Sequence, residues 1–362
     1  MKRKKAAKMG METYRIDESK GMELGIYTLG DHLPNPHTGQ RPSAQARLKE
    51  IIELAQLTEQ AGLDFFSVGE SHQEYFTTQA HSVVLAAIAQ ATKTIKIAST
   101  STIISTSDPV RVYEDFATLD LISDGRAEIV AGRASRVGLF ELLGYDLRDY
   151  EELFEEKFDL LLQINQHEVI NWEGKHRAPL VDAHVLPRPK NGSLPIWRAV
   201  GGSPASAVRA GLQGVPMFLA TLGGPASSFK VSVDAYRQAL VHNNYSVEDF
   251  PVSIAGWFYA AEDSQTAMRE VYPHLNEGMK LTNGRGMHKQ AFAQGADVRS
   301  VQNIGSPQQI IEKILYQHEQ FNHQRYIAQM DFGGVSHQQL MKNVELLGDV
   351  IAPAVKKYTR KK

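Results

Sequence analysis

Residues 201–206 read Gly-Gly-Ser-Pro-Ala-Ser, at the junction of an apolar run and a helical one. Gly201 and Gly202 let a ligand approach the backbone closely. Ser203 and Ser206 add hydroxyls beside first-turn N–H groups, where a helix carries about half a positive charge. Such a group of atoms suits a phosphate. It suits equally a plain strand-to-helix turn with a serine cap. Arg133 ends a second apolar run, and a guanidinium there is placed to clamp the same anion. A third run ends in Gly69-Glu70-Ser71-His72. His72 offers a general acid, a base or a donor to a ligand, or is a polar loop histidine with a structural partner. The hydroxyl run Ser99-Thr100-Ser101-Thr102 suits the polar edge of a ring, although Ser and Thr are also common strand-end residues.

Several chemistries are absent from the pattern. There is no Walker lysine motif, no GxGxxG after the first strand, no HExxH and no GxSxG elbow. Pairs such as His72 with Glu74, or His318 with His323, lack metal-site spacing, and cysteine is missing altogether. No metal is therefore expected, and disulfides and thiolate nucleophiles are excluded.

The elements that must hold these groups alternate almost from end to end. Strands are predicted over 23–28, 65–68, 95–101, 127–131, 196–200, 215–220, 252–260 and 325–331, with helices between them. Asp108-Pro109 caps the helix before the fourth strand, and Ser203-Pro204 opens the one after the fifth. A long helix over 150–166 points Leu153, Phe154, Phe158, Leu161 and Leu162 inward. Its Glu151, Glu152, Glu155 and Glu156 read as a solvated face. Residues 167–193 form a polar excursion. Residues 282–304, rich in Gly, Asn and Gln, suggest a mobile loop or lid. Eight such units indicate a (β/α)8 TIM barrel with insertion loops, of the α/β class; a doubly wound open sheet is the alternative. Ligands then bind at the C-terminal ends of the strands, where Arg133 sits.

With 362 residues, 42% hydrophobic and 22% charged, the chain has the composition of a globular protein with a large core. Its net charge of -2 supplies no basic field for nucleic acid. No apolar run is long enough to span a bilayer. The Met1–Lys5 stretch is basic but lacks the apolar segment of a signal peptide. Residues 1–21 are expected to be a poorly ordered arm, 22–357 a single barrel domain, and the protein cytoplasmic.

Five segments in order resemble the bacterial luciferase-like flavin monooxygenases: DPVRVYEDFATLDLISDGRAEIVAGR, GYDLRDYEELFEEKFDLLL, PIWRAVGGSPASAVRAG, VPMFLATLGG and GSPQQIIEKIL. The resemblance implies reduced FMN, supplied by NAD(P)H directly or through a partner flavin reductase, and O2 acting on a small organic substrate. It implies a phosphate site at Arg133, Gly201, Gly202, Ser203 and Ser206, and a flavin ring against Thr100 and Ser101, whose bond matches the family's non-prolyl cis peptide. It implies a homodimer. The positions facing substrate are His72 and Ser71. Ser71 stands where the family has the first histidine of Glu-His-His, and a serine does not titrate near neutrality. Ala134 likewise replaces a glycine after the arginine. Alternatives within this reading are a flavin reductase, a deazaflavin-dependent enzyme, or a flavin-binding protein without turnover. Outside it stands an unrelated barrel lyase or isomerase.

Overall fold

Eight short runs rich in β-branched and aromatic residues form the predicted strands: Glu23–Thr28, Phe65–Val68, Lys96–Ser99, Ala127–Gly132, Ile196–Val200, Met217–Ala220, Val252–Ala260 and Arg325–Gln329. The computed structural model describes residues 10–134 and 138–361. Each strand pairs in parallel with the next, and the eighth returns to the first with Glu23 opposite Arg325. The sheet therefore closes into a (β/α)8 barrel, and closure removes its edges. The first, second, fourth, seventh and eighth strands are buried at every residue. One face of each fills the interior and the other meets the helices.

Charge plugs the interior at the N-terminal ends of the strands. Fully buried Arg325 donates to Glu23 at 2.8 Å and to Glu128 at 2.8 and 3.1 Å. Trp197 Nε1 donates to Glu128 at 2.9 Å, and Lys96 pairs with Glu23. The Arg325 guanidinium also lies over the rings of Phe65 and Trp197, at 4.2 and 4.9 Å. Burial pushes the Glu128 carboxyl up, but the Arg325 charge and its hydrogen bonds outweigh that and hold it below the usual range. Any ligand must use the opposite end.

Three segments differ from expectation. Residues 10–21, assigned to a poorly ordered arm, pack beneath the plug. Tyr14 and Ile16 join the core, and Arg15 donates to Ala127 O at 2.9 Å and to Asp120 at 3.1 Å. Two apolar residues suffice to anchor them; the basic run Met1–Lys5 lies outside the described residues. The 167–193 excursion contains an antiparallel hairpin, Val169–Trp172 with Leu180–His184. Residues 282–304 are held down rather than left as a lid. They contain the helix Lys289–Ala293, and the strand Asn303–Gly305 that joins the end of the seventh barrel strand. Buried Lys313 donates to Gly295 O at 2.5 Å and Gln302 O at 2.9 Å. The buried Asn303 Oδ1 accepts from Gln317 Nε2 at 3.0 Å.

Candidate active site

A cavity of 610 Å³ opens at the C-terminal ends of the strands, and Arg133, Gly201, Ser203 and Ser206 lie on its wall. Arg133 leaves the fourth strand, and its Nη1 stands 3.5 Å from Ser206 Oγ. The guanidinium and the serine-rich turn, 73 positions apart, thus meet at one place. The turn is built for approach. Gly202 has a φ of 93°, which a side chain tolerates poorly, and a Cβ at Gly201 would meet nothing within 4 Å. Pro204 begins a ten-residue helix, and the Ser203 side chain accepts no capping hydrogen bond. Its hydroxyl and the Ala205 N–H, in the first turn, are therefore available on the cavity wall.

Of the glutamates on helix Tyr150–Gln166, Glu151 and Glu152 are exposed as expected, whereas Glu155 and Glu156 are half-buried and engaged. Glu155 is the hub of three guanidiniums: Arg133 at 2.7 Å, Arg198 at 2.6 Å and Arg209 at 2.6 Å. Glu151 reaches Arg133 at 3.0 Å and lies 3.9 Å from Arg209. Glu156 accepts from the backbone N–H groups of Lys175 and His176, at 2.8 and 2.9 Å. An i, i+4 pair of glutamates meets cations arriving from two neighbouring strands and a helix, which no local pattern reveals. Burial would raise the Glu155 carboxyl, but hydrogen bonds from Arg198 and Arg209 hold it below its usual value. Burial, and then the nearby Arg198 charge, lowers Arg133, which as a guanidinium still stays charged. The Phe154 ring lies 3.9 Å from Arg133 and 4.8 Å from Arg198.

Thr100 and Ser101 line the same cavity, joined by a cis peptide bond at the expected position. Thr100 is only 4% exposed, and its Oγ1 has no hydrogen-bond partner among the described residues. A buried hydroxyl without a partner, on a cavity wall, is a place for a ligand atom. Gly132 makes room for Ser101: a Cβ there would fall 2.3 Å from Ser101 Oγ. Tyr27, Leu29, Ile103, Phe218 and Ala220 supply the apolar part of the wall.

The second strand ends at Val68, as expected, and the chain leaves it before Glu70. Glu70 lines the cavity, with Oε1 2.6 Å from His72 Nε2 and Oε2 accepting the Ile103 N–H at 2.7 Å. His72 and Ser71 are not on the cavity wall, and neither is Gly202; His72 reaches the cavity only through Glu70. His81 was not singled out from the sequence. It is buried with Nδ1 3.8 Å from Glu70 and Nε2 2.8 Å from Thr102 Oγ1. Burial lowers its pKa. Arg209 was also missed, although its place three residues after Ser206 puts both on one helix face. Away from the cavity, Asp149, Glu152 and His176 bring ligand atoms within 4.8 Å of one another, but Lys175 already holds Glu152 at 2.5 Å.

A family model described as luciferase-like monooxygenase matches residues 22–324. An N-acetyl-S-alkylcysteine monooxygenase of Bacillus subtilis is 25% identical over 283 residues, 75% of this chain and 79% of that protein. Among solved structures, a monooxygenase of Streptomyces bottropensis superposes with a TM-score of 0.78 at 21% identity, covering 92% of this chain and 99% of that one. The oxygenating constituent of 3,6-diketocamphane monooxygenase from Pseudomonas putida, in complex with FMN, gives 0.74 at 17%, over 92% and 98%. An F420-dependent secondary alcohol dehydrogenase, in complex with an F420–acetone adduct, gives 0.71 at 16%, over 92% and 99%. At these identities the superpositions establish the fold.

Proposed function

The chain belongs to the luciferase-like monooxygenase family, and from that premise we propose that it is an FMN-dependent monooxygenase acting with O2 on a small organic substrate. One observation carries the reading: Arg133 and the Gly201–Ser206 turn converge on a cavity whose far wall holds the unpartnered hydroxyl of Thr100. Cation, helix end and free hydroxyl fit the phosphate and the polar ring edge of a flavin. Arg133, Ser203, Ser206 and the Ala205 N–H bind phosphate; Thr100 and Ser101 hold the ring edge. Tyr27, Leu29 and Phe218 exclude water. Reduced FMN, when bound, supplies the electrons and the reaction with oxygen. Glu70, fixed by Ile103 and His72, presents a carboxylate to the cavity, so His72 acts by positioning that group. Ser71 takes no part in proton transfer.

The remaining assignments follow from the same reading. NAD(P)H reduces the flavin directly or through a separate reductase, and the protein works as a cytoplasmic homodimer. No helix among the described residues is long and apolar enough to cross a membrane. The deazaflavin alternative, with the F420 of one structural neighbour, is the second reading.

Titration of the purified protein with FMN, oxidised and reduced, and with F420, tests the proposal. Wild type should bind FMN, and Arg133→Ala should lose about 1.5–3 kcal/mol, the worth of a charge-assisted hydrogen bond. Equal affinity in the two proteins removes the clamp. Preference for F420 over FMN replaces the cofactor.

A further inference from the structure

We infer that the anion site is built for a phosphate monoester dianion, with Arg209 as its second guanidinium and Glu151 as the carboxylate that the phosphate displaces. This rests on the flavin reading above and adds to it the charge state of the ligand and two residues.

The ion pairs around Glu155 are of two kinds. Arg198 is fully buried, grips Glu155 with both nitrogens at 2.9 and 2.6 Å, and donates to Gln213 at 2.7 Å. That bidentate pair is structural and stays together. Arg133 and Arg209 instead reach the cavity, where both also face Glu151. The Glu151 side chain is 61% exposed and sits in the first turn of its helix, so it swings into water without leaving a buried charge behind. Arg209 is half exposed, on the helix that presents Ser203 and Ser206.

Charge decides what fits. Within ion-pair distance three guanidiniums meet two carboxylates among the described residues, leaving one surplus positive charge; Asp159, near Arg198, accepts from Gln213 at 2.9 Å and is not on the cavity wall. When Glu151 moves out, the surplus becomes two. A phosphate monoester carries about −1.5 to −2 at neutral pH and matches that count. A phosphodiester, with a single charge, leaves one cation uncompensated. Glu151 therefore acts as a competitor for Arg133 and Arg209, and its departure opens both to the ligand.

FMN and riboflavin share a ring and a ribityl chain and differ by the phosphate, so the ratio of their dissociation constants isolates this site. The ratio is measured by flavin fluorescence quenching for wild type, Arg209→Ala and Glu151→Gln, with circular dichroism confirming the fold. In Arg209→Ala the preference for FMN should fall by about tenfold or more while riboflavin binding holds. In Glu151→Gln it should rise by about threefold, the worth of an exposed ion pair, and a gain of that sign cannot come from misfolding. An Arg209→Ala ratio equal to wild type overturns the second guanidinium. An unchanged or lower ratio in Glu151→Gln overturns the competitor. If wild type prefers FMN strongly and both variants match it, the inference fails and the flavin reading stands. If wild type quenches neither flavin, the flavin reading itself fails and takes the inference with it.

Discussion

Thr100 shows how a single side chain separates stability from binding. Its hydroxyl is buried with no partner among the described residues, so it gives up solvation without recovering a bond. Thr100→Val keeps the shape and removes that hydroxyl. The free protein should be unchanged or stabilised by about 1 kcal/mol in urea unfolding, while FMN and riboflavin should both bind more weakly. Weakening of FMN alone would move Thr100 from the ring to the phosphate end of the site. Residues of this kind were partly legible. Arg133, Ser203, Ser206, Thr100 and Ser101 stand out because each ends an apolar run, where a barrel exposes its chemistry. His72 stood out for the same reason, yet the chain turns after Val68 and gives the cavity position to Glu70.

Helix Tyr150–Gln166 carries the corresponding lesson for an element. Its apolar stripe was readable because buried residues repeat at helical spacing, and Leu153, Phe154, Phe158 and Leu161 are indeed buried. Glu151 and Glu152 are exposed as expected, but Glu155 and Glu156 were misread because a charged face looks the same whether water or a protein partner lies opposite. The two are distinguished by substitution. Glu155→Gln leaves fully buried Arg198 without its counter-charge and should cost about 2–3 kcal/mol, the usual penalty discounted for the partial exposure of Glu155. Glu151→Gln, on the exposed turn, should stay within about 0.5 kcal/mol of wild type. Equilibrium unfolding in urea compares them directly, and equal losses would mean that Glu155 is no hub. The segment 282–304 was misread for a related reason: Gly, Asn and Gln signal loops, but here Gln302 and Asn303 are buried, the Gln302 carbonyl accepting from Lys313 and Asn303 Oδ1 from Gln317.

At the scale of the whole molecule, the barrel closes through a seam of buried charge between its first and eighth strands. Asp31 and Asp331 share one guanidinium, Arg47, which donates to Asp331 at 2.8 Å and to the Asp31 carbonyl at 2.7 Å. Burial, and then the Asp331 charge, pushes the Asp31 carboxyl up to about 7. The folded protein therefore holds a proton there that the unfolded chain releases near pH 4. Stability from this group is complete below about pH 4 and is lost as pH rises through about 7. Asp31→Asn should flatten the decline in stability across that window, whatever constant cost it adds; parallel pH profiles for variant and wild type would count against a proton on Asp31. Closure itself was legible, since eight alternating units leave few other architectures. The seam was not, because its partners lie 300 positions apart in sequence. The plug of Arg325, Glu128 and Trp197 has a consequence for traffic. With one end of the cylinder stoppered by ion pairs, a ligand of the cavity enters and leaves through the mouth at the opposite end. Under the proposed function that mouth would serve cofactor, oxygen, substrate and product alike, and whatever seats deepest would arrive first and depart last, so ordered binding is the kinetic signature to look for.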